Sequence, residues 1–457
     1  MSDSFPETYH CWQTGIKAEG IKQPVQVQTM NPGTGFKSDF KIETEEREAH
    51  TGTDTLDYGT VRVGSETNPE FEMEMLSKQG LEAYWYLLLG SYEKKLVAGT
   101  SDCYEWRFYR DLANPKELPR ATVINGYHRT MYDARVYDDV MVNELELKFP
   151  NNESPKLTVK TVSDAPILRQ PNPARVFPSE EYMLKPRQTS VYLTPFGLDP
   201  DSPEVENYKF DCYIDVTVSP KNNVEPSECQ GDKIYEIRKK TGKFEAEAKL
   251  EIQWNESVAN IENEIITGYK TGVYPTEESQ FRQLIIKTVG RTIGNDGSTD
   301  VRLTQRIVLP KLEVAPPETS ESGDDTKKTN FEMKIASNGI VSPIDVKIIS
   351  KMADLPITSD ILPVISTQAL TISAVQNGTS TPVLGGTYKL TNTTSPEQVF
   401  NVTLTVDNPT KTVILPFGTY TVTETTSPTG YQALDSIPDV TANEYNGTLK
   451  LEYTASP

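Results

Sequence analysis

The sequence predicts a mainly β protein of several domains. Its 457 residues are long enough for two to four domains, each with its own core. Between its 27 glycines and 32 prolines, segments alternate apolar and polar residues far more often than they follow a helical period. The composition, with 24% charged residues and ordinary aromatic content, differs from that of disordered chains. No apolar run reaches the roughly 18 residues of a membrane helix, so no membrane partner is expected.

The first part of the chain predicts one helix and a β-hairpin. An approximate i, i+3/i+4, i+7 apolar stripe predicts the helix over residues 75–89, and Gly90 is a suitable stop. Residues 145–149 and 157–159 alternate apolar and polar side chains. The turn-rich segment 150–155 between them is typical of a hairpin connection.

The clearest strand of the whole sequence covers residues 244–254. Every even position there is apolar and every odd position is charged or an amide, so one face is buried. A short helix is predicted over 257–265. Further strands are predicted over residues 208–218, 283–289, 301–309 and 331–335.

A weak internal repeat suggests a duplication. Residues 71–75 and 244–248 have similar alternation, and each precedes a stretch capable of forming a helix. An amphipathic strand ending in proline then follows, at Phe149-Pro150 and at Leu309-Pro310. We expect two tandem domains, residues 1–175 and 176–352, joined near the proline-rich segment 171–178; coincidence of pattern is the alternative.

A third domain is predicted over residues 366–457, after a linker at 353–365. From residue 366 onward threonine dominates and charge falls, to three lysines and seven acidic residues. Most of the formal net charge of −20 therefore belongs to the first two domains. An acidic chain repels phosphates and is not expected to bind the outside of nucleic acid tightly.

No residue pattern predicts catalysis, a cofactor or a metal site, and the chain is expected not to be an enzyme. The only histidines, His10, His50 and His128, have no catalytic or ligand spacing, and no nucleotide-binding or hydrolase motif occurs. Four scattered cysteines predict structural thiols: Cys11, Cys103, Cys212 and Cys229. The first seven residues lack the features of a secretory signal, which predicts synthesis and retention in a cytoplasm.

Residues 103–110 interleave aromatic side chains with arginines, a pattern that continues to Arg135. Bases stack on aromatic rings and arginines bind phosphates, so a surface for single-stranded nucleic acid is one interpretation. Tyrosine, tryptophan and arginine are also typical of protein interfaces, and acidic residues accompany this segment. We favour a contact between subunits.

Several segments resemble the tail tube (major tail) proteins of long-tailed bacteriophages. In order along the chain these segments are residues 14–20, 35–38, 45–47, 71–74, 143–149, 156–159 and 330–335. The resemblance implies tail-tube-type β-sandwich or barrel domains with a flanking short helix, whose sheets join into an inner barrel around a ring. With a tandem duplication, it implies homotrimer rings in place of hexamers.

The function implied by that resemblance is a virion tail tube of stacked rings that conducts genomic double-stranded DNA during ejection. Its implied partners are copies of itself and other tail proteins (tape measure, tail terminator, baseplate or tip). An acidic bore would let DNA slide without tight binding, and Glu245, Glu247 and Glu251 are candidates for its lining. Pairing of these glutamates with lysines across subunits is the alternative.

Residues 366–457 resemble the collagen-adhesin B-type repeat, an immunoglobulin-like β-sandwich of bacterial surface proteins. The segments that carry this likeness are 370–372, 382–390, 415–425 and 427–431. In that family a first-strand lysine and a last-strand asparagine form an isopeptide bond beside a glutamate. Glu424 matches the glutamate, but the other positions hold Ser373-Ala374 and Tyr453-Thr454. We predict no isopeptide bond, and an intact mass lower by one ammonia than the sequence mass would contradict this.

Two functions are therefore considered. Phage tail proteins often carry an appended immunoglobulin-like domain, which reconciles the two resemblances with a tail tube. The alternative is a bacterial cell-surface adhesin or pilus subunit, which the C-terminal domain alone supports. A hydrolase with an accessory sandwich lacks a catalytic constellation.

Overall fold

The structure is a computed structural model in which one continuous chain builds two compact units, mainly from β-strands. It describes residues 11–27, 29–51, 54–75, 77, 80–126, 134–164, 166–172, 184, 188–227, 238–320, 327–336, 342–363, 367–405, 408–443 and 447–456. The first unit comprises the described residues of 1–128, 135–167 and 173–362; the second comprises those of 129–134, 168–172 and 363–457. The prediction of a mainly β chain with few helices is confirmed.

Twenty-seven strands and three helices are labelled here in chain order. Strands up to residue 170 are β1 (Cys11–Lys17), β2 (Thr29–Thr51), β3 (Asp54–Glu74), β4 (Ser91–Leu96), β5 (Tyr104–Tyr109), β6 (Ala121–Gly126), β7 (Ala134–Lys148), β8 (Lys156–Val162) and β9 (Ile167–Gln170). Those up to residue 358 are β10 (Thr189–Pro195), β11 (Tyr213–Lys221), β12 (Val224–Ser227), β13 (Arg238–Thr241), β14 (Glu245–Gln253), β15 (Phe281–Asn295), β16 (Asp300–Val314), β17 (Glu318–Ser320), β18 (Lys328–Ile335), β19 (Asp345–Ser350) and β20 (Ile357–Thr358). The remainder are β21 (Thr367–Gln376), β22 (Thr387–Asn392), β23 (Val399–Thr403), β24 (Thr410–Pro416), β25 (Gly418–Thr426), β26 (Val440–Ala442) and β27 (Gly447–Tyr453). The helices are α1 (Leu81–Leu89), α2 (Glu256–Thr271) and α3 (Glu277–Gln280).

Helix α1 is shorter than the sequence predicts, and α2 is longer. α1 begins only after Gly80, whose φ of 123° is not helical, and it ends at Gly90, whose N–H donates to the Tyr86 carbonyl. α2 extends to Thr271 because the Asn255 side chain caps its start and Gly272 ends it in the left-handed conformation. No helix in the described ranges is long and apolar enough to cross a membrane.

The first unit is organised by two runs of antiparallel strands. One run has the order β3, β8, β7, β11, β14, β18, and the other has the order β4, β5, β19, β16, β15, β10. Pairing of β16 with β18 joins them. Side chains from both runs form one hydrophobic cluster, which includes Phe71, Leu250, Trp106 and Ile307.

The predicted strand over 244–254 and the predicted hairpin are present. β14 buries Ala246, Ala248, Leu250 and Ile252, as the alternation requires. β7 and β8 pair antiparallel, with Lys148 opposite Lys156 across the turn.

Pairing also connects the two predicted tandem domains within the first unit. β7 pairs with β11, and β19 returns to pair with β5. The predicted linker at 353–365 carries β20, which pairs in parallel with β1. A backbone hydrogen bond from Leu362 to the Pro24 carbonyl extends this contact.

The second unit is a β-sandwich, which confirms the immunoglobulin-like fold expected of the C-terminal domain. One sheet has the order β24, β21, β27, and the other has the order β23, β22, β25, β26. Alternate residues of these strands form a separate core that includes Ile372, Leu390, Tyr420 and Leu451.

Candidate functional site: a tyrosine–glutamate cluster in the C-terminal sandwich

Three polar side chains meet inside the C-terminal sandwich. Tyr388 is the second residue of β22, Glu424 lies directly opposite it on β25, and Tyr453 ends β27 in the other sheet. Both tyrosines are fully buried, and the glutamate is half-buried. The cluster therefore connects the two sheets through the core.

The hydrogen bonds of the cluster form a chain in which Tyr388 donates to Tyr453 and Tyr453 donates to Glu424. The Tyr453 hydroxyl donates to Glu424 Oε1 at 2.5 Å, and the hydroxyl oxygens of Tyr388 and Tyr453 lie 2.8 Å apart. Because the Tyr453 proton is committed to the glutamate, Tyr388 must donate to Tyr453. A hydrogen bond to a charged group is stronger than a neutral one, so Glu424 is the anchor of this chain.

The glutamate also holds a loop. The Leu434 N–H donates to Glu424 Oε2 at 2.9 Å, which ties the connection between β25 and β26 to the core. The ring of Tyr431, in the same loop, packs edge-on against Tyr453 with 6.1 Å between ring centroids. Both oxygens of the carboxylate thus accept from groups of this domain.

Burial and hydrogen bonding keep the tyrosines neutral. Burial and the hydrogen bond to Glu424 raise the pKa of Tyr453 far above its usual value of 10, and burial also raises the pKa of Tyr388. Gly386 makes room for this arrangement. Its φ is +94°, and a Cβ there would lie 2.7 Å from the Tyr388 hydroxyl oxygen.

The cluster includes a residue of β27, one of the two strands that the resemblance names for an isopeptide bond. β21 and β27 are the first and last strands of the sandwich; β21 contains no lysine, and β27 contains no asparagine. Ala374 is buried opposite Leu451, two positions before Tyr453. Of the three clustered residues, only Glu424 is singled out by a sequence motif, because the tyrosines are 65 residues apart and meet only through the fold.

In the described part of the aromatic and arginine segment, two of the large rings of β5 are not exposed. Trp106 and Phe108 on β5 are buried at 1% and 0% exposure, so they are not available to stack on bases or on a partner. Arg107 forms an ion pair with Asp345, and Arg110 donates to Asn222. Tyr127, His128, Arg129 and Tyr132 lie outside the described residues.

The three glutamates of β14 are paired with lysines. Each lies beside a lysine on a neighbouring strand: Glu245 with Lys221 at 3.6 Å, Glu247 with Lys334 at 3.7 Å and Glu251 with Lys328 at 3.1 Å. Lys249, between them, pairs with Glu332 at 2.8 Å. The expectation of a free acidic lining is therefore wrong, because within one chain the exposed face of β14 is close to charge balance.

A surface groove of about 920 Å³ lies across the second strand run of the first unit. Its basic groups are matched by acids: Arg306 and Lys347 both pair with Asp201, and Lys95 pairs with Glu105 at 2.8 Å. Over the whole lining, five basic and five acidic side chains leave no net charge to select an ionic ligand.

Of the remaining candidate residues, only Cys103 and Cys212 have described side chains. Cys103 is a buried free thiol whose pKa is raised by burial, and Cys212 is exposed and free. For Cys11 and His50 only the strand backbone is described, while His10, His128 and Cys229 lie outside the described residues. Among the described residues, no group of three or more His, Cys, Asp and Glu could hold a metal ion.

Residues 368–457 match one family model, the SpaA prealbumin-like fold domain. This match covers the C-terminal sandwich and its cluster. The sequence matches no curated protein.

Solved structures found similar to the chain include pilins. The shaft pilin SpaA of Lactobacillus rhamnosus GG is 12% identical, with 40% of this chain and 74% of that chain covered, at a TM-score of 0.18. The streptococcal ancillary pilin is 11% identical, with 82% of this chain and 96% of that chain covered, at a TM-score of 0.19. BcpA, the major pilin subunit of Bacillus cereus, is 13% identical, with 69% of this chain and 95% of that chain covered, at a TM-score of 0.18. TM-scores this low are too small to establish a shared overall fold.

These findings correct the expected identity. The resemblance to a phage tail tube is wrong, because the family match is to a SpaA-type prealbumin-like domain. The homotrimer rings, the tail-protein partners, the DNA passing through a lumen and the location in a virion tail depended on that resemblance and are withdrawn with it. The alternative stated from the sequence, a surface adhesin or pilus subunit, is the better supported one.

Proposed function

We propose that this chain is a structural subunit of the bacterial cell surface, of the pilus-subunit or adhesin type. The observation that carries the proposal is the match of residues 368–457 to the SpaA prealbumin-like family. That segment is a complete sandwich with its own core, which is consistent with a module that serves as a building block. The family shares its name with a shaft pilin of Lactobacillus rhamnosus GG.

The role proposed is mechanical and non-catalytic. The cluster in the sandwich connects its last strand to the opposite sheet, and its three side chains are committed to one another or to Leu434. Such an arrangement stabilises a domain and leaves no nucleophile and base aligned on an open cleft.

We further propose that the first unit arose by tandem duplication, with its division near residue 175 and the C-terminal domain starting at 363–366. In support, each half has a strand, then a helix, then a long hairpin. These are β3, α1 and the β7–β8 hairpin in one half, and β14, α2 and the β15–β16 hairpin in the other.

Protease shaving of intact cells tests the proposed function. Cells that produce the chain are treated briefly with trypsin, and the released peptides are identified by mass spectrometry beside a cytoplasmic control protein. Peptides containing exposed lysines such as Lys389 and Lys450 should be released while the control stays intact. Release only after lysis would contradict the proposal.

A further inference from the structure

The first and last strands of the C-terminal sandwich are parallel neighbours. β21 pairs with β27 in seven registered positions, from Leu370 opposite Gly447 to Gln376 opposite Tyr453. In a parallel pair, the start of one strand and the end of the other lie at opposite ends of the ladder. A chain held before residue 367 and after residue 456 therefore pulls the two strands in opposite directions, and all of their hydrogen bonds bear the load together.

The exit end of β27 is additionally fastened. Beyond Tyr453, the Gln432 N–H donates to the Thr454 carbonyl at 3.0 Å, and the Ser456 N–H donates to the Gly430 carbonyl at 2.9 Å. Glu424 holds both Tyr453 and the loop that contains these partners. Movement of β27 along β21 therefore has to break the tyrosine–glutamate cluster early.

We propose that Tyr388, Glu424 and Tyr453 form a mechanical lock that opposes the sliding of β27 past β21 when the chain is under tension. The lock is non-covalent, and it lies where the domain is loaded in shear. Its physiological use rests on the proposed function, because a surface subunit is the case in which the chain carries load.

A neighbouring tyrosine supplies the matched control. Tyr420 is also fully buried in this core, and its hydroxyl donates to the Pro416 carbonyl at 2.9 Å. That bond joins β25 to the end of β24 and does not involve β27. Tyr420→Phe thus removes the same atom from the same core without opening the lock.

Single-molecule stretching of the full chain tests the lock. The C-terminal unit is recognised by its extension on unfolding, about 300 Å for some 90 residues. At constant force, Tyr453→Phe and Glu424→Gln should each increase the unfolding rate of this unit by about ten-fold or more, since the lost bond involves a charged acceptor. Tyr420→Phe should change the unfolding rate several-fold less. Each rate is compared after correction for the loss of thermal stability measured for that variant.

A second loading geometry separates the lock from general stability. Handles placed at Asn377, in the exposed turn after β21, and after residue 456 pull both strands from the same end. The unmodified unit should then unfold at lower force than with handles at its two termini. Equal effects of Tyr453→Phe and Tyr420→Phe, or equal forces in the two geometries, would overturn the inference. If the variants behave as expected but the chain is not found on the cell surface, the lock stands and only the proposed function is overturned.

Discussion

Glu424 is the residue on which the polar core of the C-terminal sandwich depends. It accepts hydrogen bonds from Tyr453 and from the Leu434 backbone, and through Tyr453 it also orders Tyr388. Removing the acceptor leaves a buried hydroxyl without its partner, which is more costly than the net value of the bond itself. The cluster is therefore stable as a set and sensitive to the loss of any one member.

Alkaline pH should weaken this domain through its tyrosines. In the folded state the pKa values of Tyr453 and Tyr388 are raised above 10, so both hydroxyls stay protonated where the unfolded chain ionises. Their contribution to stability is complete below pH 10 and falls above it, and a tyrosine that ionises only on unfolding costs at most about 1.4 kcal/mol per pH unit.

Urea unfolding at pH 8, 10 and 11 measures this effect, followed on the transition of the C-terminal domain. Above pH 10, the slope of the free energy of unfolding against pH reports the number of protons released on unfolding. Tyr453→Phe should reduce that number by about one. A slope unchanged by this substitution would contradict the assignment of Tyr453 as the group responsible.

At the scale of elements, the exposed face of β14 shows how alternation fixes burial but not charge partners. The sequence predicted its buried positions correctly, since every second residue is apolar. The lysines that face Glu245, Glu247 and Glu251 come from β11 and β18, whose pairing with β14 no local pattern reveals. The sequence left open whether these glutamates line a bore or pair with lysines of another subunit. In the structure they form ion pairs with lysines of the same chain.

Charge reversal at Glu251 should have a small effect on stability. Glu251→Lys places a like charge beside Lys328, its diagonal neighbour on β18, and both side chains are partly exposed, at 34% and 43% for the native pair. We expect a loss of about 1 kcal/mol or less in the free energy of unfolding, which is reduced further by 0.5 M salt. Glu251→Gln is the matched control, and a loss several times larger in the reversal would show that the pair is not a surface ion pair.

The helices show that an apolar period in the sequence does not determine where a helix begins and ends. The stripe that predicts a helix from residue 75 continues through Gly80, but the backbone of that glycine is not helical and α1 starts after it. α2 was predicted too short because it buries only Val258, Ile265 and Gly268, so most of its length has no apolar period.

At the scale of the whole molecule, the described residues form two large hydrophobic cores with no member in common, beside two clusters of four buried residues each. One includes residues from Trp12 to Leu355, and the other includes residues from Leu370 to Tyr453. The change in threonine content and charge near residue 366 was enough to predict the second core. The pairing of β19 with β5, some 240 residues apart in sequence, was beyond any local signal.

Separate cores predict separate unfolding transitions. Ile372→Ala removes a fully buried side chain from the second core and should lower the midpoint of one calorimetric transition by on the order of 10 °C. Leu147→Ala, in the first core, should lower the other. If either substitution shifted both transitions equally, the division into two cores would be wrong.

Immunogold electron microscopy of intact bacteria that produce the chain natively tests the central claim most directly. Antibodies raised against residues 367–456 are used, with a deletion strain as control. The proposed function predicts gold particles on the outer surface or along fibres that leave it. Label found only in sectioned cytoplasm or on released virus particles would contradict it.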